Sequence, residues 1–196
     1  EQDFYEEIIR IYGFDNIESV MPKLDINPIR IDTLREIDLL RSAAVAVGTG
    51  LREVINYSFI PRNALEKIRY NDAAGDEIIE VRKPITEDFV IMRPTLLYSL
   101  IKNAKDNINR NITDIRFFET TKTFKRVEGK IEEEQKFGII LGGEPEKYIW
   151  NVKPVPYDFY DLKGIVEEIF SKIRFEKYTL VRTTKESYHP GRAADV

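Results

Sequence analysis

The sequence predicts an α+β fold in which an antiparallel β-sheet is flanked by helices. Apolar residues recur at spacings of three and four between Leu97 and Ile108, which is typical of a helix with one buried face. A run of β-branched and aromatic residues follows at 115–124 and predicts a strand. The turn signal at Glu128, Gly129 and Lys130 then predicts a hairpin returning through 136–143. The two long strands are therefore expected to be antiparallel.

Size and composition favour a cytoplasmic protein. A chain of 196 residues can form one well-packed domain with a small appendage. It has no cysteine and no recognisable secretory signal at its start, which favours a reducing, cytoplasmic location. Charged residues make up 33% of the chain, and its longest apolar run falls far short of a membrane span, so no membrane association is expected.

The formal net charge of −4 argues against a uniformly basic surface that binds nucleic acid. A local basic patch at Lys122, Lys125 and Arg126 still leaves RNA contact open. The alternative is that these three residues form a solvated hairpin end.

The first third of the chain predicts two helices and a connection. A short amphipathic helix spans 3–12 and is closed by Gly13. Residues 17–31 contain two prolines and no sustained period, so they are expected to be a connection. Asp32 is a good N-cap for a helix over 32–47, which the glycines at 48 and 50 end.

The middle of the chain predicts a strand at 53–60, a short helix begun by Pro61 and a further strand at 77–82. Pro94 fits the first turn of the helix that ends near Ile108. Glu119 stands out in the strand at 115–124, because a buried sheet does not readily accept a carboxylate.

The last third predicts a surface loop at 144–156, in which Trp150 is expected to be a packing anchor. A helix over 157–174 and a strand over 178–184 follow. His189 is the only histidine, and beside Pro190 and Gly191 it is expected to order a turn rather than to act in catalysis.

Four segments, in order and spacing, resemble the phenylalanyl-tRNA synthetase beta-chain family. They are DFYEEIIRIYGFDNI from Asp3, MRPTLL leading to RFFETTKTF from Met92, DFYDLKG from Asp158 and HPGRAA from His189. The resemblance implies three parts: residues 1–20 as the end of a small winged-helix-like domain, 21–31 as a linker, and 32–196 as a class II synthetase-like core truncated at its carboxyl end. The segment is thus expected to be cut from a longer chain.

The resemblance also implies a function. In the family, the beta chain pairs with a catalytic alpha chain in a heterotetramer that attaches phenylalanine to tRNA(Phe), and ATP binds to the alpha chain. Class II enzymes hold ATP with one arginine on a sheet strand and another in a Gly-rich motif. Here the strand carries Phe117, Phe118 and Glu119 and the second motif is absent. The resemblance therefore predicts a core with no catalytic or cofactor-binding residues, serving as scaffold and interface.

In the family, the acids of the helix that matches 3–12, with one more aspartate upstream, are associated with magnesium shared with the alpha chain, and the matching residues here are Asp3, Glu6 and Glu7. Their spacing places them on one helical face, and carboxylate oxygens suit magnesium. Acidic residues in a first turn are also favoured by the helix dipole without any metal.

Two other functions remain open at this point. The chain could belong to a self-sufficient class II ligase, or it could be a free-standing RNA-binding or regulatory protein built on a class II synthetase core. A regulator would act without a catalytic chain and bind RNA with a steep salt dependence.

Overall fold

The computed structural model describes residues 1–21, 32–46, 48, 50–71, 77–145, 150–151, 153, 155–183, 188–189 and 193–196. These residues fall into two compact units, Glu1–Asp32 and Thr33–Val196. Most of the predicted linker, 22–31, lies outside the described residues. The helices are α1 (Gln2–Tyr12), α2 (Asp32–Ala46), α3 (Ala64–Lys67), α4 (Leu97–Ile108) and α5 (Phe159–Lys172). The strands are β1 (Arg52–Glu53), β2 (Phe59–Ile60), β3 (Ile91–Met92), β4 (Asp114–Val127), β5 (Lys130–Gly143), β6 (Val181–Arg182) and β7 (Ala194–Asp195).

The first unit consists of α1, a short 3₁₀ turn at Phe14–Asn16 and the residues after it. Helix α1 ends as predicted at Gly13, whose φ of 91° a residue with a side chain rarely adopts. None of its residues is buried. Its apolar side chains, among them Phe4 and Ile11, are 77% and 85% exposed.

The second unit is built around the β4–β5 hairpin, as the sequence predicts. Its main sheet has the order β1-β4-β5, with β1 parallel and β5 antiparallel to β4. The register runs without interruption from Asp114 opposite Gly143 to Val127 opposite Lys130. Glu128 and Gly129 both have positive φ, which matches the twist of a two-residue hairpin turn. The strands are longer than predicted, because pairing continues through the charged residues near the turn.

Both faces of this sheet are covered by helices. On one face, Ala43 and Ala44 of α2 and Ile165 and Ile169 of α5 surround Phe118. On the other face, Ala104 of α4 packs with Ile115 and Phe117. Successive residues of a strand point to opposite faces, so β4 supplies the core on both sides.

The predicted strand at 53–60 is wrong in its middle. The structure has two short strands, β1 and β2, separated by residues 54–58. The backbone N–H of Asn56 donates to the carboxylate of Glu119 rather than to a neighbouring strand. A side chain thus replaces part of the ladder that the alternating pattern predicts.

Three other element predictions need correction. The strand predicted at 77–82 is reduced to an isolated bridge between Glu80 and Ile91. Pro94 lies before α4, which begins at Leu97, and Pro61 likewise precedes α3. These prolines end the preceding extended segments instead of entering the helices. Of the strand predicted at 178–184, the described residues form β6, which pairs with β7, and residue 184 lies outside the described residues.

Trp150, expected to anchor a loop, is 95% exposed. The prediction of a packing anchor is therefore wrong for this chain, although part of that loop, 146–149, lies outside the described residues.

Candidate functional site

The most unusual residue of the sheet is Glu119, a carboxylate at the centre of β4 that is only 2% exposed. Its side chain lies on the same face of the sheet as α4, because it alternates with Phe118. One carboxylate oxygen accepts hydrogen bonds from the backbone N–H of Asn56 at 3.1 Å and from Arg93 Nη1 at 3.0 Å. The other accepts from Asn56 Nδ2 at 3.0 Å. The buried charge is therefore neutralised and hydrogen-bonded.

Arg93 completes this arrangement from the segment between β3 and α4. Its side chain is fully buried and forms an ion pair with Glu119. Nη2 donates to Thr121 Oγ1 at 2.7 Å, and Nε donates to the backbone carbonyl of Lys122 at 3.3 Å. All three guanidinium nitrogens thus donate to groups on β4.

The backbone of Arg93 is bound as tightly as its side chain. Its N–H donates to the carbonyl of Ser58 at 2.9 Å, and its carbonyl accepts from the N–H of Phe124 at 3.0 Å. Arg93, Glu119 and Asn56 therefore join three chain segments that are distant in sequence. We call these three residues the buried lock.

The chemistry of the buried lock is structural. A guanidinium that grips a phosphate must reach solvent or a ligand, whereas Arg93 is sequestered by protein oxygens. The geometry holds β3, β4 and the segment after β1 in fixed positions.

A second polar cluster lies at the start of β4. Asp114 Oδ2 accepts from Arg116 Nη2 at 2.6 Å, and Oδ1 accepts from the hydroxyl of Tyr157 at 2.9 Å. The N–H of Tyr157 also donates to the carbonyl of Gly143. Burial raises the pKa of Tyr157 to about 12, and its hydrogen bond to Asp114 adds to the shift. This cluster attaches the segment before α5 to the sheet.

The three predicted metal ligands, Asp3, Glu6 and Glu7, all lie on α1 and are exposed. Glu7 forms an ion pair with Arg10. Across the part of the chain that the structure describes, no three acidic, histidine or cysteine side chains are placed to hold a metal ion. The donor chemistry suits magnesium, but these residues do not form a complete ligand set by themselves.

The predicted basic patch is interleaved with acidic residues. Lys122 pairs with Glu133 at 2.6 Å, and Lys125 lies opposite Glu132 in the hairpin. Alternating charges on a hairpin end favour the solvated-surface interpretation of this patch.

His189 is exposed, and much of the turn predicted around it, 190–192, lies outside the described residues. In the ranges that the structure describes, no helix is long and apolar enough to cross a membrane.

The comparison with known proteins decides the family. The sequence profile of the phenylalanyl tRNA synthetase beta chain CLM domain matches residues 17–196. The chain belongs to the phenylalanyl-tRNA synthetase beta-chain family. It is 44% identical to the phenylalanine–tRNA ligase beta subunit of Fusobacterium nucleatum, over 99% of this chain and 24% of that protein. The corresponding subunit of Syntrophus aciditrophicus is 34% identical, over all of this chain and 25% of that protein.

This family member spans about a quarter of the length of those curated relatives. Its fold also resembles a pyrrolysyl tRNA synthetase from Desulfitobacterium hafniense, with a TM-score of 0.58 at 12% identity, covering 94% of this chain and 55% of that one. The predicted class II aminoacyl-tRNA synthetase-like α+β fold is therefore confirmed.

Sequence reasoning recognised that Glu119 was unusual but did not find its partners. Arg93 belongs to the MRPTLL motif, yet nothing in the local spacing connects it with Glu119, which lies 26 positions away. A lone carboxylate in an apolar strand does indicate that a partner exists elsewhere in the chain, since a buried charge needs a charged or hydrogen-bonding partner.

Proposed function

We propose that this chain is the non-catalytic core of the beta subunit of a phenylalanine–tRNA ligase. It acts as scaffold and interface for a catalytic alpha subunit, which binds ATP and, in a heterotetramer, attaches phenylalanine to tRNA(Phe) in the cytoplasm. The observation that carries this proposal is the buried lock. The sheet position expected to grip ATP holds Glu119, and Arg93 is consumed in neutralising it.

Exposed apolar side chains of α2 support an interface role. Ala43 and Ala44 are buried against the sheet, whereas Leu34, Leu39 and Val45 are 58%, 49% and 64% exposed. A helix of one domain that buries one face and exposes large apolar side chains elsewhere is suited to packing against another subunit. We propose that α2 contributes to the contact with the alpha subunit.

Magnesium belongs to the same proposal. Asp3, Glu6 and Glu7 would supply carboxylate oxygens to an ion shared with the alpha subunit, which would have to complete the ligand set. The ion would neutralise negative charge where the two subunits meet.

The deciding experiment is phenylalanine-dependent ATP–pyrophosphate exchange, measured for the full-length protein that contains this chain, with and without the catalytic subunit. We expect exchange in the mixture and none with the beta subunit alone. Exchange by the beta subunit alone would show a working active site and overturn the scaffold proposal. If the beta subunit binds RNA, and adding it to the catalytic subunit does not change the exchange rate, the result would instead favour a free-standing RNA-binding protein.

A variant separates the interface from folding. Val45→Asp should weaken association with the alpha subunit, measured by analytical ultracentrifugation, while leaving the unfolding midpoint of this chain nearly unchanged, because Val45 is 64% exposed. Ile131→Asp is the matched control, because Ile131 is 58% exposed at the far end of the β4–β5 hairpin. Equal effects of both substitutions would exclude α2 as a specific interface.

A further inference from the structure

The segment around β2 and α4 forms a cleft of about 270 Å³, and Asn56 of the buried lock is one of its lining residues. The side chains of Tyr57, Phe59 and Phe89 line it, and Tyr98 contributes a further ring. The ring centres of Tyr57 and Phe89 lie 5.0 Å apart, and those of Phe59 and Phe89 lie 6.2 Å apart. Tyr57 is 71% exposed. We call this the aromatic cleft.

A second, larger cleft of about 680 Å³ adjoins it. The two share Pro61, Asp88 and Tyr98 in their linings, so Asp88 lies at the junction. This places a carboxylate beside the aromatic rings.

The charges around the two clefts do not balance. Their linings contain the carboxylates of Glu66, Glu87 and Asp88 and the cations Arg62, Lys67 and Lys102. Arg62 is paired at 2.5 Å with Glu80 and Lys102 at 2.7 Å with Asp106, and both of these acids lie outside the linings. Among the described lining residues, three carboxylates then stand against the one cation outside these two ion pairs, Lys67. The local potential is therefore negative.

Aromatic faces and a negative potential both favour a cation. The electron-rich face of a Tyr or Phe ring attracts an ammonium or guanidinium group within about 6 Å, and a nearby carboxylate adds to this attraction. Asp88 would repel an anionic ligand, and its charge would not attract a neutral aromatic ligand. We propose that the aromatic cleft binds an organic cation, the ammonium or guanidinium group of a small molecule or of a side chain.

The first test uses ligands that differ only in charge. Choline and its neutral carbon analogue 3,3-dimethylbutan-1-ol are titrated into this chain, and NMR follows the ring signals of Tyr57 and Phe89. We expect saturable shifts with choline at a dissociation constant on the order of 1 mM. The neutral analogue should bind about tenfold more weakly, because it lacks the cation–π attraction.

The second test uses variants of this chain. Asp88→Asn should weaken choline binding about fivefold by removing the carboxylate. Tyr57→Leu should weaken it as well, whereas Tyr57→Phe keeps the ring and should bind normally. Lys102→Met should strengthen binding, because it removes the positive charge that offsets Asp106. Glu132→Gln is the control, since it removes the same charge from the exposed hairpin end.

A third ligand separates the two sources of the cation. Tighter binding of N-acetyl-arginine methylamide than of choline would identify a side chain of another protein as the ligand. Tighter binding of choline would identify a small molecule, and either result supports the proposal. Equal binding of choline and its neutral analogue would overturn it, as would equal weakening by Asp88→Asn and Glu132→Gln. Circular dichroism shows for each variant whether the fold is retained.

Discussion

Glu119 is only 2% exposed, and its carboxylate accepts hydrogen bonds from Arg93 and Asn56. Removing one member of such a pair leaves the other charge buried without compensation, which costs about 3–5 kcal/mol. Glu119→Gln and Arg93→Met should each lower the free energy of unfolding by this amount, measured by urea denaturation.

The control is the exposed pair of Lys122 and Glu133, whose side chains are 56% and 49% exposed. Lys122→Met should cost less than about 1 kcal/mol, because water screens this pair. The double variant Arg93→Met/Glu119→Gln should lose less stability than the sum of the two single losses. Strict additivity would show that the two charges do not depend on each other.

Tyr157 makes a prediction about alkaline pH. Its pKa is raised to about 12 by burial and by its hydrogen bond to Asp114, whereas an unfolded tyrosine titrates near 10. Between these values the unfolded chain loses a proton that the folded chain keeps, so stability falls as pH rises. The contribution of Tyr157 to the free energy of unfolding is at most about 3 kcal/mol. It is complete below pH 10 and is lost by about pH 12.

Tyr157→Phe isolates this effect from the titration of lysines. Urea unfolding of both proteins at several values between pH 8 and pH 12 gives their stability difference. This difference should shift in favour of the variant as pH rises through 10. A difference that stays constant over this range would mean that Tyr157 titrates normally in the folded chain.

Gly143 and Gly164 should respond in opposite ways to replacement by alanine. Gly143 ends β5 with a φ of 72°, and a Cβ there would lie 1.8 Å from the carbonyl oxygen of Thr113. Gly164 lies within α5, and a Cβ there would meet nothing within 4 Å. Gly143→Ala should therefore cost at least about 3 kcal/mol. Gly164→Ala should raise stability by about 1 kcal/mol, since alanine favours helix.

Thermal unfolding of the two variants tests this pair directly. Opposite changes in the midpoint temperature are expected. A fall for Gly164→Ala would mean that its small size serves a contact, because the intrinsic preference of the helix argues for alanine.

The start of α5 depends on one carboxylate. Asp158 accepts from the N–H groups of Tyr160 and Asp161, and the Asp161 side chain accepts from the N–H of Asp158. Asp158→Ala should cost about 1 kcal/mol by removing this capping box. Asp158→Asn keeps an accepting oxygen and should cost much less in the same urea measurement. Equal losses of stability in Asp158→Ala and Asp158→Asn would mean that the negative charge of Asp158, rather than its capping hydrogen bonds, stabilises the start of α5.

Local patterns predicted the elements whose contacts are close in sequence. Helix α4 and the turn at Glu128 and Gly129 were found within a few residues, because spacing and turn chemistry specify them locally. The break between β1 and β2 was missed because it depends on Glu119, which is 63 residues beyond Asn56. The partner of Glu119 was missed for the same reason.

Burial of isolated side chains was also predicted poorly. Trp150 was expected to anchor the loop at 144–156, yet it is 95% exposed. A single residue in a loop has no periodicity from which its direction can be inferred. By contrast, the sequence did indicate the buried lock, because a carboxylate among apolar strand residues departs from the usual pattern.

The core of the second unit is continuous through a single strand. Phe118 packs with α2 and α5 on one face, while the neighbouring Phe117 packs with α4 on the other. Neither helical layer can keep its contacts if β4 loses its position. We therefore expect the residues around this sheet to unfold as one cooperative unit.

Phe118→Ala tests this cooperativity. Phe118 is 0% exposed, so truncation should cost about 3–5 kcal/mol. Under native conditions, amide hydrogen exchange should become faster in α4 as well as in α5, although Phe118 packs on the α2–α5 side only. Trp150→Ala is the control and should change neither helix, because Trp150 is exposed. Faster exchange confined to α5 would show instead that the two faces of the sheet unfold separately, and that β4 does not couple them.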